Sequence, residues 1–222
     1  MTMKNFSARI AFAGVALLPL AAFGQSQVFT DSSAFLGVIG DGYYAENFSG
    51  IAGTSAPSFD FHDISSTFAY TVNAPTIPTA NPPNSDVVGI QDAGSVNTLS
   101  TAVDGFALNY TITSGNVRAI GGYFEITDAD GKLVPGQIQF DLSDGTSLVA
   151  DVAAAPTFFG FLKADGDTLS IATAFPIEGA DPLYIANTQL FVGVPETSTY
   201  AAAGFMGLAV GGLWYRRSRK AA

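Results

Sequence analysis

Along much of this chain, long apolar side chains alternate with polar ones at a period of two. That spacing puts one face of a β-strand in a core and the other in water. In residues 106–112, Phe106, Leu108, Tyr110 and Ile112 share one face, while Ala107, Asn109 and Thr111 share the other. Ile138, Phe140 and Leu142 repeat the pattern, with Gln137, Gln139 and Asp141 opposite. Further strands are predicted over residues 68–72, 117–126, 148–152, 157–162, 169–173 and 189–192. Asp130-Gly131 and Asp144-Gly145 predict hairpins, since this pair takes positive φ at low cost. Asp165-Gly166-Asp167 predicts another turn, and residues 75–83 a proline-rich loop or edge crossing. One helix is predicted over residues 32–38, capped by Asp31, with Phe35 and Leu36 turned inward. The expected architecture is all-β: an antiparallel β-sandwich, jelly-roll-like, of around ten strands.

Both ends break this alternation. Lys4 and Arg9 precede an apolar run over residues 10–20, and Ala22-Phe23-Gly24 then carries small residues where signal peptidase requires them. Residues 1–24 are therefore expected to form a secretory signal helix, cut before Gln25 and handled by the Sec export machinery. Near the other end, residues 200–215 are an uncharged run of 16 residues. As a helix this run would reach about 24 Å, a little under the ~30 Å hydrocarbon core of a bilayer. Tyr200 stands at one end and Trp214 and Tyr215 at the other, where amphipathic rings favour the interface. Arg216, Arg217, Arg219 and Lys220 follow, and the positive-inside rule makes them a cytoplasmic basic tail. The chain thus divides into a signal segment (1–24), an exported β-sandwich domain (25–193), and a C-terminal segment with a transmembrane helix and basic tail (194–222).

Charge follows the same division. The 222 residues carry nine Lys and Arg against 19 Asp and Glu, a formal −10. Only Arg118, Lys132 and Lys163 of those basic residues fall between 25 and 193, against 18 acidic ones, so the domain carries −15. A nucleic-acid partner is excluded, because phosphate contacts need clustered Lys and Arg. With no cysteine there is no disulfide, no thiolate metal site and no cysteine nucleophile.

The C-terminal order of motif, small-residue helix and basic tail resembles the PEP-CTERM sorting signal of Gram-negative bacteria. The motif positions are Val194, Pro195, Glu196, Thr197 and Ser198, with Thr199 beyond, and Gly204, Gly207, Gly211 and Gly212 supply the small residues of the helix. Thr197 departs from the family pattern, which has a second proline there. The resemblance spans 29 residues and implies processing by an exosortase, a membrane-embedded cysteine protease-like transpeptidase. The domain also resembles a recurrent exported bacterial domain found with this signal. The matching phrases are Phe29-Thr30-Asp31, Ala34-Phe35-Leu36, Glu46-Asn47-Phe48, the strand before Thr127-Asp128-Ala129-Asp130-Gly131, Phe158-Phe159-Gly160-Phe161 and Leu190-Phe191-Val192-Gly193. Thr188-Gln189-Leu190 replaces the Asp-Asn-Leu triplet usual in those relatives.

Within the domain, candidate chemistry is sparse. His62, flanked by Asp60 and Asp63, is the single histidine, and no Gly-x-Ser-x-Gly elbow accompanies it. A glycosidase pair would draw on Glu46, Glu125 and Glu178. Asp128 and Asp130 offer hard oxygens two residues apart for a structural calcium ion, without EF-hand spacing; similar sandwiches point to Glu46 as a further ligand. Tyr43, Tyr44, Tyr70, Tyr110, Tyr123 and Tyr184 are rings able to stack on a sugar. No catalytic, cofactor or metal residue is assigned from the sequence. The expected protein is exported and non-enzymatic, held at the cell surface or in the extracellular matrix of a Gram-negative envelope. The alternatives are a carbohydrate-binding module for extracellular polysaccharide and a secreted hydrolase.

Overall fold

The computed structural model describes residues 26–63, 67–75, 84–91, 97–163, 168–177 and 182–193. Fifteen strands and one helix follow in chain order: β1 (Gln27–Phe29), α1 (Ser32–Ile39), β2 (Tyr44–Glu46), β3 (Ser55–Ala56), β4 (Ser58–His62), β5 (Ala69–Pro75), β6 (Asn84–Ser85), β7 (Val87–Gln91), β8 (Asn97–Thr101), β9 (Leu108–Ser114), β10 (Ala119–Thr127), β11 (Gly136–Leu142), β12 (Ser147–Val152), β13 (Thr157–Leu162), β14 (Ile171–Pro176) and β15 (Tyr184–Gly193). The strands pair antiparallel in two sheets. The first has the order β1-β13-β10-β15-β8-β7-β3, and β2 joins it on β15; the second has the order β12-β11-β14-β9-β5-β4, and β6 joins it on β5. β15 shares one flank between two partners: β8 meets its first half at Ala186 and Asn187, and β2 its second half at Leu190 to Val192.

Alternation decides which residues meet between the sheets. The first sheet contributes Val87, Leu99, Ile120, Phe124, Phe159, Phe161, Ile185, Leu190 and Val192. The second answers with Tyr70, Val72, Leu108, Tyr110, Ile138, Phe140 and Ile171. Phe140 sits at the centre, with ring centroids 4.9 Å from Phe124, 5.1 Å from Phe159 and 5.3 Å from Phe161. Tilted and edge-to-face contacts at these distances suit the ring quadrupoles.

α1 packs on the outer face of the first sheet over β13, β10 and β15. Asp31 caps it by accepting a hydrogen bond from the Ala34 backbone N–H at 2.7 Å. Phe35 and Ile39 are its buried residues and Leu36 is half-buried; they pack with Ala119, Phe158, Leu162 and Phe191 in a second apolar cluster. Close approach depends on Gly160 of β13, where a Cβ would stand 2.6 Å from Cδ2 of Phe35.

Two expectations from sequence are corrected. The sandwich has more strands than the ten expected, because short edge strands such as β1, β2, β3 and β6 carry too few residues to show a period. Both Asp-Gly turns form, with φ of 75° at Gly131 and 83° at Gly145, but only Asp144-Gly145 joins paired strands, β11 and β12. At Asp130-Gly131 the chain leaves β10 in the first sheet and crosses to β11 in the second; a single bridge between Thr127 and Leu133 is all the hairpin there. Among the described residues no helix is long and apolar enough to cross a membrane. The expected signal helix (1–24) and transmembrane helix (200–215) lie outside the described residues, as do residues 76–83 and the Asp165-Gly166-Asp167 turn.

Candidate binding surface

The two outer faces of the sandwich differ in chemistry. The first sheet carries α1 over β13, β10 and β15, whereas the second presents mainly polar side chains. The core residues of β5 are Tyr70, Val72 and Ala74, which turns Thr71 and Asn73 outward. Thr71 pairs with Asp60 of β4 on one side and Thr111 of β9 on the other, and Asn73 pairs with Asn109. Across the sheet, Gln137, Gln139 and Asp141 of β11 continue the face, with Thr173 of β14 and Ser147 and Asp151 of β12 beside them. None of these strands carries Lys or Arg.

Hydrogen bonds hold these side chains in place. Thr71 Oγ1 donates to Asp60 Oδ1 at 2.6 Å, Thr111 Oγ1 to Asn109 Oδ1 at 2.9 Å, and Gln137 Nε2 to Asp151 Oδ1 at 2.9 Å. Asp141 is the hub: Ser147 Oγ donates to it at 2.7 Å, Thr173 Oγ1 at 3.0 Å and Gln139 Nε2 at 3.1 Å. Partial burial pushes the Asp141 carboxyl up, but these three donors outweigh it and leave it below its ordinary range. The result is a largely polar face of amides, hydroxyls and carboxylates, interrupted beside Gln139 by exposed Val149 and half-buried Phe175; its polar groups match hydroxyl-rich ligands. Alternation along β11 sets its outward positions, but not which strands stand beside them. Strand order alone brings β5, β9 and β14 between β4 and β11.

The candidate residues named from sequence are dispersed. His62 is exposed at the end of β4; neighbouring Asp60 accepts from Thr71, and Asp63 Oδ1 accepts from the Phe68 backbone N–H at 2.9 Å. Glu46 and Glu125 flank β15, paired with Leu190 and Ala186. Leu190 lies between the sheets and Glu46 with it, whereas Glu125 alternates with the core residues Phe124 and Ile126 and so turns to the outer face. The two carboxylates therefore project from opposite faces of one sheet and do not face a common cleft. Glu178 lies outside the described residues.

Asp128 closes its own turn. Oδ1 accepts from the backbone N–H groups of Asp130 at 3.0 Å and Lys132 at 2.9 Å. Among the described residues no three of His, Asp and Glu converge in a geometry for a metal ion. Glu46 is likewise engaged: Oε2 accepts from the Tyr44 hydroxyl, and Oε1 from the backbone N–H groups of Asn47 at 3.0 Å and Phe48 at 2.8 Å.

Five of the six tyrosines, Tyr43, Tyr44, Tyr70, Tyr110 and Tyr123, pack in the two apolar clusters, as strand spacing favours, rather than forming a sugar platform. Tyr70 and Tyr110 are buried between the sheets. Tyr43 and Tyr123 pack in the cluster under α1, where the Tyr123 hydroxyl donates to Ser32 Oγ at 2.9 Å. Tyr44 and Tyr184 are half-buried. Burial pushes the Tyr70 and Tyr110 hydroxyls well above their ordinary range. Neither hydroxyl has a hydrogen-bond partner among the described residues, and nor does the side-chain amide of Asn187, buried on the inner face of β15.

The sorting-motif residues Val194, Pro195, Glu196, Thr197 and Ser198, and the basic tail of Arg216, Arg217, Arg219 and Lys220, lie outside the described residues. What the fold contributes is their attachment point, since β15 ends at Gly193, one residue before the motif. No protein-family model matches this chain, and no curated protein or solved structure matches it.

Proposed function

We propose that the chain is an exported, non-enzymatic protein of the cell surface or extracellular matrix, carried there by a PEP-CTERM-type sorting signal over residues 194–222. The observation that carries the reading is the agreement between fold and addresses. The first strand of the sandwich, β1, begins at Gln27, two residues after the expected cut before Gln25, and its last strand, β15, ends at Gly193, next to Val194. Strands of the sandwich thus reach both ends of the interval between the two expected signals, which supports the reading. Its jelly-roll character is supported by repeated crossing of the chain between sheets, from β8 to β9, β9 to β10, β10 to β11, β12 to β13, β13 to β14 and β14 to β15. Fractionation of the native host tests the reading: the protein is expected in the envelope or matrix, and deletion of residues 194–222 releases it or changes its processing. Recovery of the full-length chain only from the cytoplasm overturns it.

A second reading, a carbohydrate-binding module for extracellular polysaccharide, is favoured by the polar outer face of the second sheet. Asn73 stands across from Asn109 and Asp141 across from Thr173, with Gln139 two residues from Asp141 on β11, so that sugar hydroxyls would find donors and acceptors there. Polysaccharide pull-down should then succeed with the parent and weaken with Asn109→Ala or Gln139→Ala. Equal retention of parent and variants counts against the face.

A further inference from the structure

Among the described residues the two sheets end on four strands, β1 and β3 in the first and β12 and β4 in the second. β1 and β3 have three and two residues, too short an edge to template another strand. β12 is six residues long, Ser-Leu-Val-Ala-Asp-Val, with no Lys or Pro to blunt it. Its register on β11 runs from Gly136 against Val152 to Asp141 against Ser147, and the Leu142 backbone N–H donates to the Thr146 carbonyl at 2.8 Å. Hydrogen-bonded pairs alternate along an antiparallel ladder, so Leu148, Ala150 and Val152 are the residues that bond to β11. The backbone N–H and C=O groups of Ser147, Val149 and Asp151 therefore point away from it, and among the described residues no strand receives them.

Side chains on this edge are apolar on both faces. Val149, on the outer face, is 48% exposed. Leu148 and Ala150, on the inner face, pack against the core from one side and are only half-buried. An antiparallel copy of β12 centred on Val149 uses all three free residues: Val149 stands against Val149 of the copy, and Ser147 against Asp151, each pair exchanging both backbone hydrogen bonds. Between them Leu148 falls opposite Ala150, a large side chain beside a small one, and no like charges stand opposite each other. β4 fails the same test. The Asp63 backbone N–H donates to the Phe68 carbonyl at 3.1 Å, so by alternation Ser58, Asp60 and His62 carry the outward groups. A copy of β4 that uses all three sets Asp60 directly against Asp60, a repulsive pair.

We propose that β12 is a dimerisation edge: two copies of this chain pair through Ser147, Val149 and Asp151 and continue the second sheet from one copy into the other. The occupant is a second copy because one register satisfies free backbone groups, side-chain size and charge together. Outer-face residues meet outer-face residues in that register, which keeps the polar faces of both second sheets on the same side. The dimer presents one continuous face of doubled width, with the paired Val149 side chains at its centre. This pairing is independent of the terminal segments and of any ligand.

The chain has no cysteine, so introduced thiols report the register. A hydrogen-bonded antiparallel pair sets its Cα atoms about 5.5 Å apart, within disulfide range. Ser147 of one copy and Ser147 of the other stand four residues out of register, about 13 Å and beyond that range. Full-length Val149→Cys, Ser147→Cys and Asp151→Cys chains, purified in mild detergent, are oxidised with glutathione disulfide in salt that screens repulsion between the acidic domains. Val149→Cys is expected to form a disulfide-linked dimer several-fold more abundantly than Ser147→Cys or Asp151→Cys alone, and a mixture of the latter two to link to each other. Equal linking at all three positions, or none at residue 149, overturns the edge pairing. Hydrogen exchange of the unsubstituted chain gives a second readout. Exchange at Ser147, Val149 and Asp151 should slow several-fold as the protein is concentrated. Exchange that does not change with concentration overturns the proposal, whether fast, from an open edge, or slow, from an edge covered by the chain itself.

Discussion

The ring of Phe35 lies directly on Gly160: a methyl group at that glycine would stand 2.6 Å from Cδ2 and 2.9 Å from Cγ. Helix α1 is thereby seated on β13 at a position where any side chain would have to displace the Phe35 ring. Gly160→Ala should lower stability by roughly 1–3 kcal/mol, the usual cost of overpacking a fitted core. Urea denaturation measures the loss. Restoration of part of it by Phe35→Leu in the Gly160→Ala background would attribute the cost to this contact, and no restoration would assign it elsewhere.

The cap of the same helix gives an independent measure. Asp31 accepts from the Ala34 backbone N–H at 2.7 Å, and Asp31→Ala should cost about 1 kcal/mol. Asp31→Asn and Asp31→Ser should retain most of that stability, because each keeps an acceptor. Equal destabilisation by all three would show that capping is not the cause.

Acid should weaken the fold through two carboxylates. Partial burial raises the Asp144 pKa, but the Ser26 and Thr146 hydrogen bonds and the charge of Lys163 outweigh it and leave the carboxyl below its ordinary range; Asp141 is also lowered. A carboxyl depressed in the folded state contributes its full stability above the unfolded pKa of about 4, and that contribution is lost as pH falls through the folded value. The melting temperature is therefore expected to drop below about pH 4, and Asp144→Asn should flatten that dependence. An unchanged acid limb in Asp144→Asn and Asp141→Asn would locate the sensitivity in other groups. Asp144→Ala should also free β1, since Ser26 loses its carboxylate partner; faster hydrogen exchange at Gln27 to Phe29 reports it.

Two buried hydroxyls predict an unusual sign. Tyr70 and Tyr110 have hydroxyls without a partner among the described residues. Removing a buried polar atom that makes no hydrogen bond relieves its desolvation cost, whereas removing a bonded one costs about 1 kcal/mol. Tyr110→Phe and Tyr70→Phe should thus leave stability unchanged or raised. A loss near 1 kcal/mol in either variant would mean that its hydroxyl is bonded, to buried water or to chain outside the described residues.

Much of the strand content was legible because it is local. β13 occupies residues 157–162 as predicted, and the outward Gln137, Gln139 and Asp141 of β11 follow from strict alternation with Ile138, Phe140 and Leu142. The Asp31 cap and inward Phe35 were equally readable, since a helix start needs only its own few residues. Short β1 and β2 were not, because three residues show no period and gain their strand geometry from β13 and β15.

The candidate sites divide in the same way. Sequence alone determined the −15 charge of the domain, its alternating core and the hydrophobic and basic character of its two ends, all properties of residue order. Pairing decided the rest: that Glu46 and Glu125 oppose each other across a sheet, and that Tyr70 and Tyr110 vanish into the core. Each of those relations joins residues distant in the chain through backbone hydrogen bonds and close packing, and only the register of the folded sheets specifies which strands those bonds connect.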